Sequence, residues 1–207
     1  PDGAGMTDRL VEFRTFPESR VDRRRFVRAE IDNVNHYAIC GLELAARWNK
    51  LLLYGEYVYT TVSRYAYEGE QKVSLENAVF NGWYATASYM ILGQNRRYAP
   101  EDAEFGPMDV RRRGGNLEVA GRVSTVNLND FHDPSAVITG GKAINYTASL
   151  NWYPVRNVLV GLNYTYVDND KYADDKGHIT SNGKPLSQSL KSGLDFSIFQ
   201  MRLMISF

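Results

Sequence analysis

The chain has 207 residues, 24 basic against 24 acidic side chains, and a mean hydropathy of -0.40. Charge balance excludes a nucleic-acid binder that depends on excess positive charge, and no apolar run is long enough for a transmembrane helix. One cysteine, Cys40, excludes an intrachain disulfide and a cysteine-built zinc site, and the length suits one domain.

The chain opens Pro1-Asp2-Gly3 with no Met, basic region or apolar leader, which reads as a processed chain or a fragment. Segments near 8–16 and 21–30 read as strands. From there period-2 alternation runs in stretches of about a dozen residues. In 36–48, Leu42, Leu44, Ala46 and Trp48 oppose Glu43 and Arg47. In 51–64, Leu51, Leu53, Tyr57 and Tyr59 oppose Glu56, Thr60 and Arg64. In 78–93, Trp83, Ala85, Ala87, Tyr89 and Ile91 oppose Tyr84, Thr86 and Ser88. Leu117, Val119 and Val123 oppose Glu118, Arg122 and Ser124 in 116–127. The same alternation fills 142–153 (Tyr146, Ala148, Leu150, Trp152) and 156–168 (Val158, Val160, Leu162, Tyr164, Tyr166). The last strand sets Phe199, Met201, Leu203, Ile205 and Phe207 against Gln200, Arg202 and Ser206, with Met204 out of pattern.

All seven prolines fall outside these stretches, as strands that need every ladder N–H require. A soluble sandwich also alternates, but with shorter strands and its apolar face turned inward. Here the strands are long, one face carries charge, and the other repeatedly places Trp or Tyr near a strand end, as a membrane-interface girdle requires. The expected fold is therefore all-β: an antiparallel transmembrane β-barrel of the outer-membrane porin type. The alternating apolar run ending in Phe207 fits a C-terminal signal read by barrel assembly machinery.

Several pieces, in order, resemble the phosphate- and polyphosphate-selective porin O and P family. They are Phe13-Arg14 with Pro17-Glu18, Arg25-Phe26-Val27, Gly41-Leu42-Glu43-Leu44-Ala45, Gly55-Glu56-Tyr57, Gly82-Trp83-Tyr84, Gly93-Gln94-Asn95-Arg96-Arg97-Tyr98, Glu118-Val119-Ala120-Gly121-Arg122-Val123-Ser124 with Leu128-Asn129-Asp130, Leu150-Asn151-Trp152-Tyr153-Pro154, Asn163-Tyr164 and Gln200-Met201-Arg202-Leu203. The resemblance implies a bacterial outer-membrane barrel of about sixteen strands, commonly a homotrimer, passing small anions by diffusion. At about 23 residues per strand and connection, this chain supplies about nine strands, the C-terminal part of one barrel domain. An odd number cannot close an antiparallel barrel without a parallel seam, so the last strand is expected to pair with one not present here. With Phe207 at the periplasmic end, 168–193, 127–141, 64–77 and 30–35 become extracellular. The turns at 153–156 and 48–50 become periplasmic, as does 94–115, which is long for that side.

A diffusion pore needs no bond chemistry; lumen charge and width set its selectivity. Parity turns Glu43, Arg47, Glu56, Arg64, Glu118, Arg122 and Arg202 inward. Arginine outnumbers lysine 17 to 7, and its planar, permanently charged fork suits oxyanions. The densest basic stretch holds Arg20, Arg23, Arg24, Arg25 and Arg28, where Arg23 and Arg25 share a strand face along which an anion could pass. A solvated strand end paired with Asp22, Glu30 and Asp32 is the alternative. The inward acids offset the bases, which leaves a general porin, or a barrel scaffold in a larger complex, as the competing readings.

Arg111-Arg112-Arg113 reads as a solvated turn or a headgroup contact. Asp168, Asp170, Asp174, Asp175 and Gly177 echo a calcium loop but lack its closing Glu. His36, His132 and His178 have no metal spacing, and the sequons at Asn145 and Asn163 fall inside strands. No nucleophile motif, phosphate loop or cofactor signature appears, so neither enzyme activity nor a cofactor is expected. The expected partners are outer-membrane lipid, like subunits, the assembly machinery and small anions.

Overall fold

In the computed structural model, residues 10–20, 23–96, 98–99, 101, 104–106, 108–134, 136–173, 178–179 and 195–206 are described. They are all-β, with no helix long and apolar enough to cross a membrane; a β-barrel crosses with strands. The elements are β1 (Val11–Arg14), β2 (Arg28–Ile31), β3 (Val34–Trp48), β4 (Leu51–Glu68), β5 (Gln71–Ser74), β6 (Ala78–Leu92), β7 (Tyr98–Ala99), β8 (Glu104–Phe105), β9 (Asn116–Asp130), β10 (Ile138–Tyr153), β11 (Val158–Asn169), β12 (His178–Ile179) and β13 (Phe196–Ile205).

Seven long strands form one antiparallel wall in the order β13-β11-β10-β9-β6-β4-β3. Each long strand pairs with its nearest long neighbour in sequence, so the connections are hairpins and the wall is a meander. The two-residue turn after Trp48 places Asn49 at φ 51, a left-handed position that Asn tolerates. The wall is open at β3 and β13 among the described residues.

The ladders extend the alternation into rows across the wall. One row pairs Leu42 with Tyr57 and Tyr57 with Trp83. Another pairs Trp48 with Leu51 and Leu51 with Tyr89. Both lie on the exposed face, with Ala46, Leu53, Ala87, Gly121 and Ala148 in a row between them. An apolar band flanked by aromatics is the outer surface of a membrane barrel. Phe199, Met201, Leu203 and Ile205 continue this face onto β13, and Phe199 is 73% exposed. Phe207 lies outside the described residues.

The expectation of about nine wall strands is corrected: the stretches near 8–16 and 21–30 do not join the wall. They supply only the four-residue β1 and β2, which pair with each other, while β2 also pairs in parallel with β12. Between them, the described residues 15–20 and 23–27 are irregular and contain Pro17, which has no N–H for a ladder. This N-terminal strap lies across the inner face. Phe13 stacks against Phe80 and Tyr37, Ser19 accepts a hydrogen bond from Gln200 at 3.0 Å, and Phe26 meets Phe196 at 5.0 Å. The strap thus reaches from β3 to β13. Its Phe26, Val27, Ala29 and Ile31 join Val62, Phe80, Leu128, Ile138 and Ala143 of the wall in the main buried cluster.

The connections at this end are shorter than expected. The 64–77 stretch is largely strand, because β4 continues to Glu68 and folds back as β5 through Gly69. The 127–141 loop shrinks to 131–137, and 30–35 becomes a tight turn with Asn33 at φ 54. Most of 174–194 lies outside the described residues, including Asp174, Asp175 and Gly177.

At the opposite end, where β13 finishes, the described residues of the 93–115 segment fold back over the inner face. Met108 buries against Met90 and Tyr153. Glycines mark both of its ends. Gly93 has φ +94, and Gly115 has φ +84 with its would-be Cβ only 2.2 Å from the Tyr153 carbonyl. Only glycine combines that backbone with that approach. The length of this segment is explained by its use as an inward-folded layer rather than as a turn.

Candidate functional site

The inner face is rich in hydroxyls and amides at mid-height. One row runs Ala45, Tyr54, Thr86, Arg122, Thr147, Thr165, Ile198, and the next Arg47, Leu52, Ser88, Ala120, Ser149, Asn163, Gln200. Thr147 and Thr165 hydroxyls bond across strands at 2.8 Å. Thr86, Ser88 and Thr165 are buried, and the Thr86 and Ser88 hydroxyls have no hydrogen-bond partner among the described residues.

Between this face and the 93–115 segment lies a cavity of about 500 Å³. Arg47, Arg96 and Arg202 line it with Tyr54, Asn151 and Asn163. Arg47 donates from Nη1 to the Arg96 carbonyl at 3.0 Å. Arg96 stands 5.9 Å from the Tyr153 ring, with Nη2 3.5 Å from its hydroxyl. Arg202 makes a 3.6 Å contact to Met204 Sδ. Among the described residues none of the three guanidiniums has a carboxylate in ion-pairing reach. Glu118 is the one carboxylate lining this cavity among them, and it accepts hydrogen bonds from Tyr153 Oη at 3.0 Å and Asn151 Nδ2 at 3.2 Å.

Arg122 is held differently. Its guanidinium lies 3.9 Å over the Tyr84 ring, and its Nε faces Glu18 Oε1 at 3.3 Å. Ser124 Oγ donates to the same carboxylate oxygen at 2.5 Å. Glu43 and Glu56 sit directly opposite each other on β3 and β4, one row beyond Arg122. Inward charge is therefore sorted by depth: unpaired arginines toward the end where β13 finishes, a neutralised arginine at mid-height, and two acids beside it.

The structure brings Arg47, Arg202 and Glu118 around one cavity and places Glu56 and Arg122 around another, beneath the strap. Three expected positions are corrected. Arg23 and Arg25 lie in the irregular connection, not on a shared strand face; Arg23 is exposed and Arg25 packs 4.6 Å over the Phe16 ring. Arg64 does point inward but is sealed at 3% exposure, donating to the Glu76 carbonyl at 3.1 Å and the Ala136 carbonyl at 2.6 Å. It pins two end loops and does not line an open path. Accordingly, Arg64→Ala should leave ion selectivity unchanged while lowering stability by about 2–4 kcal/mol, the cost of orphaning buried acceptors and opening a void. Denaturant titration of the refolded barrel beside bilayer recording checks both halves.

Sequence reasoning missed Arg96 and Glu18. Neither lies in an alternating stretch; the available signals were the unusual length of 94–115 and the presence of both residues in the pieces that carry the family resemblance. No group of His, Cys, Asp or Glu among the described residues is arranged to hold a metal.

A comparison with curated proteins finds no match. The family model for phosphate-selective porin O and P matches residues 4–207, essentially the whole chain. With a seven-stranded antiparallel wall, an aromatic-flanked apolar outer face and a polar inner one, the chain belongs to the phosphate-selective porin O and P family.

Proposed function

We propose that this protein is a bacterial outer-membrane porin that passes small anions, phosphate among them, by diffusion through a water-filled channel. A sheet edge in lipid has no partner for its backbone groups, so a channel built from this wall requires a partner strand at both β3 and β13. The observation that carries the reading is the set of three arginines around one inner-face cavity, none with a carboxylate in ion-pairing reach among the described residues. A guanidinium with no internal carboxylate presents its full charge and two parallel donors to a passing oxyanion. Glu118, whose Oε2 accepts from Tyr153 and Asn151, offsets one of the three charges, so the described lining keeps an excess of two positive charges.

The Glu43–Glu56 pair supports a second reading, a general pore of weak selectivity, because two facing carboxylates favour cations at that depth. A planar-bilayer recording of the intact protein in a KCl gradient separates the two. The anion reading expects a reversal potential of the sign set by chloride, together with reduced chloride current when phosphate is added. A potential of the opposite sign ends it.

A further inference from the structure

The strap places a carboxylate where a permeating anion would bind. Glu18 Oε1 receives Ser124 Oγ at 2.5 Å and faces Arg122 Nε at 3.3 Å. Asn145 Nδ2 lies 3.3 Å from the same Ser124 hydroxyl. Arg122 is fixed from the other side by the Tyr84 ring. A rigid guanidinium, a hydroxyl and a nearby amide on adjacent strands make an oxyanion station built into the wall. Glu18 is not a wall residue. It belongs to the irregular connection, follows Pro17, and adopts a left-handed backbone at φ 53 that turns it toward β9. The wall supplies the donors, and the strap supplies an anion of its own.

We propose that Glu18 is a tethered occupant of this oxyanion station and sets how strongly Arg122 draws anions into the channel. The inference rests on the anion-channel reading and adds a second station to it. The first, around Arg47, Arg96 and Arg202, is open; the second is filled by the chain itself. A free oxyanion gains the Arg122 and Ser124 donors only when the carboxylate is displaced or neutralised. Selectivity is thereby held below what the inward arginines would otherwise give.

The test uses two variants of the intact protein in planar bilayers. Glu18→Gln keeps the shape of the side chain and removes its charge, so at about 0.1 M salt the anion-over-cation permeability ratio should rise about twofold, the order expected for one screened charge close to the path. Arg122→Ala should move the ratio the other way. Phosphate should block chloride current in Glu18→Gln at a lower concentration than in the unaltered protein, and adding Ser124→Ala should weaken that block. If Glu18 and Arg122 merely pin the strap, both variants loosen it, and the ratio moves in the same direction for both or for neither. That result overturns the proposal, as does a Glu18→Gln channel with an unchanged ratio. Heat-modifiable gel migration confirms that each barrel is folded. If the unaltered protein prefers cations, the anion-channel reading fails; the Glu18→Gln shift is read against that baseline and still judges the role of Glu18.

Discussion

Replacing Arg47, Arg96 and Arg202 together by Gln should reduce anion preference more than any change elsewhere on the inner face. The three side chains line one cavity, and no described carboxylate lies in ion-pairing reach of them. A unit charge about 7 Å from an ion in water-like surroundings contributes about 0.6 kcal/mol, so three contribute about 2 kcal/mol before screening. At about 0.1 M salt the Debye length is near 10 Å, which leaves roughly half of that. The permeability ratio should therefore fall about fivefold, and more at low salt. Gln retains hydrogen bonding and much of the side-chain length, so the cavity keeps its shape. Single variants should divide the effect unevenly. Arg96 is braced by Tyr153 and its own carbonyl receives Arg47, so losing Arg47 also loosens the segment that carries Arg96. Equal ratios for the triple variant and the unaltered protein, measured at 0.1 M salt, would remove these arginines from the ion path.

The contrast between these arginines and the others shows what the sequence makes legible. Alternation identifies a strand and sorts its residues onto two faces, because side chains in a strand alternate regardless of what covers them. Thus the stretch 78–93 is realised as Ala78–Leu92, and Arg47, Arg122, Arg202, Glu43, Glu56 and Glu118 all take the inward face. Alternation carries no information about which partner a strand finds. The stretches near 8–16 and 21–30 have strand character and do form short strands, yet they pair with each other inside the wall. Nor does parity reveal a cover. Arg64 faces inward like Arg47, but the carbonyls of Glu76 and Ala136 close over it from loops that no local pattern places there. Arg96 and Glu18 lie in irregular backbone, where their positions depend on the fold of whole segments. The proline that rules out a long strand through 15–27 was visible; the lumen-side route that the chain takes instead was not.

Truncating Phe26 to Ala should free the strap and change conductance without dismantling the wall. Phe26 is 5% exposed, stacks on Phe196 at 5.0 Å and belongs to the main buried cluster. Loss of a buried phenyl ring costs about 3–5 kcal/mol. Here that cost falls on the attachment of the strap, because the wall ladders do not include β1 or β2. The remaining fastenings include the Glu18 contacts, the Ser19–Gln200 bond and the packing of Phe13, Val27, Ala29 and Ile31. Detachment would expose Val62, Phe80, Leu128 and Ile138 to water, which opposes release at about 25 cal/mol per Å² of apolar surface. The balance favours brief, repeated departures of the strap over permanent loss. Single-channel records of Phe26→Ala should therefore show added noise and excursions to higher conductance, with heat-modifiable migration unchanged. Phe196→Ala, which removes the other half of the same ring contact from β13, should give the same behaviour. Records indistinguishable from those of the unaltered protein would mean that the strap does not limit the pore. A barrel that no longer folds would mean that strap and wall form one cooperative unit.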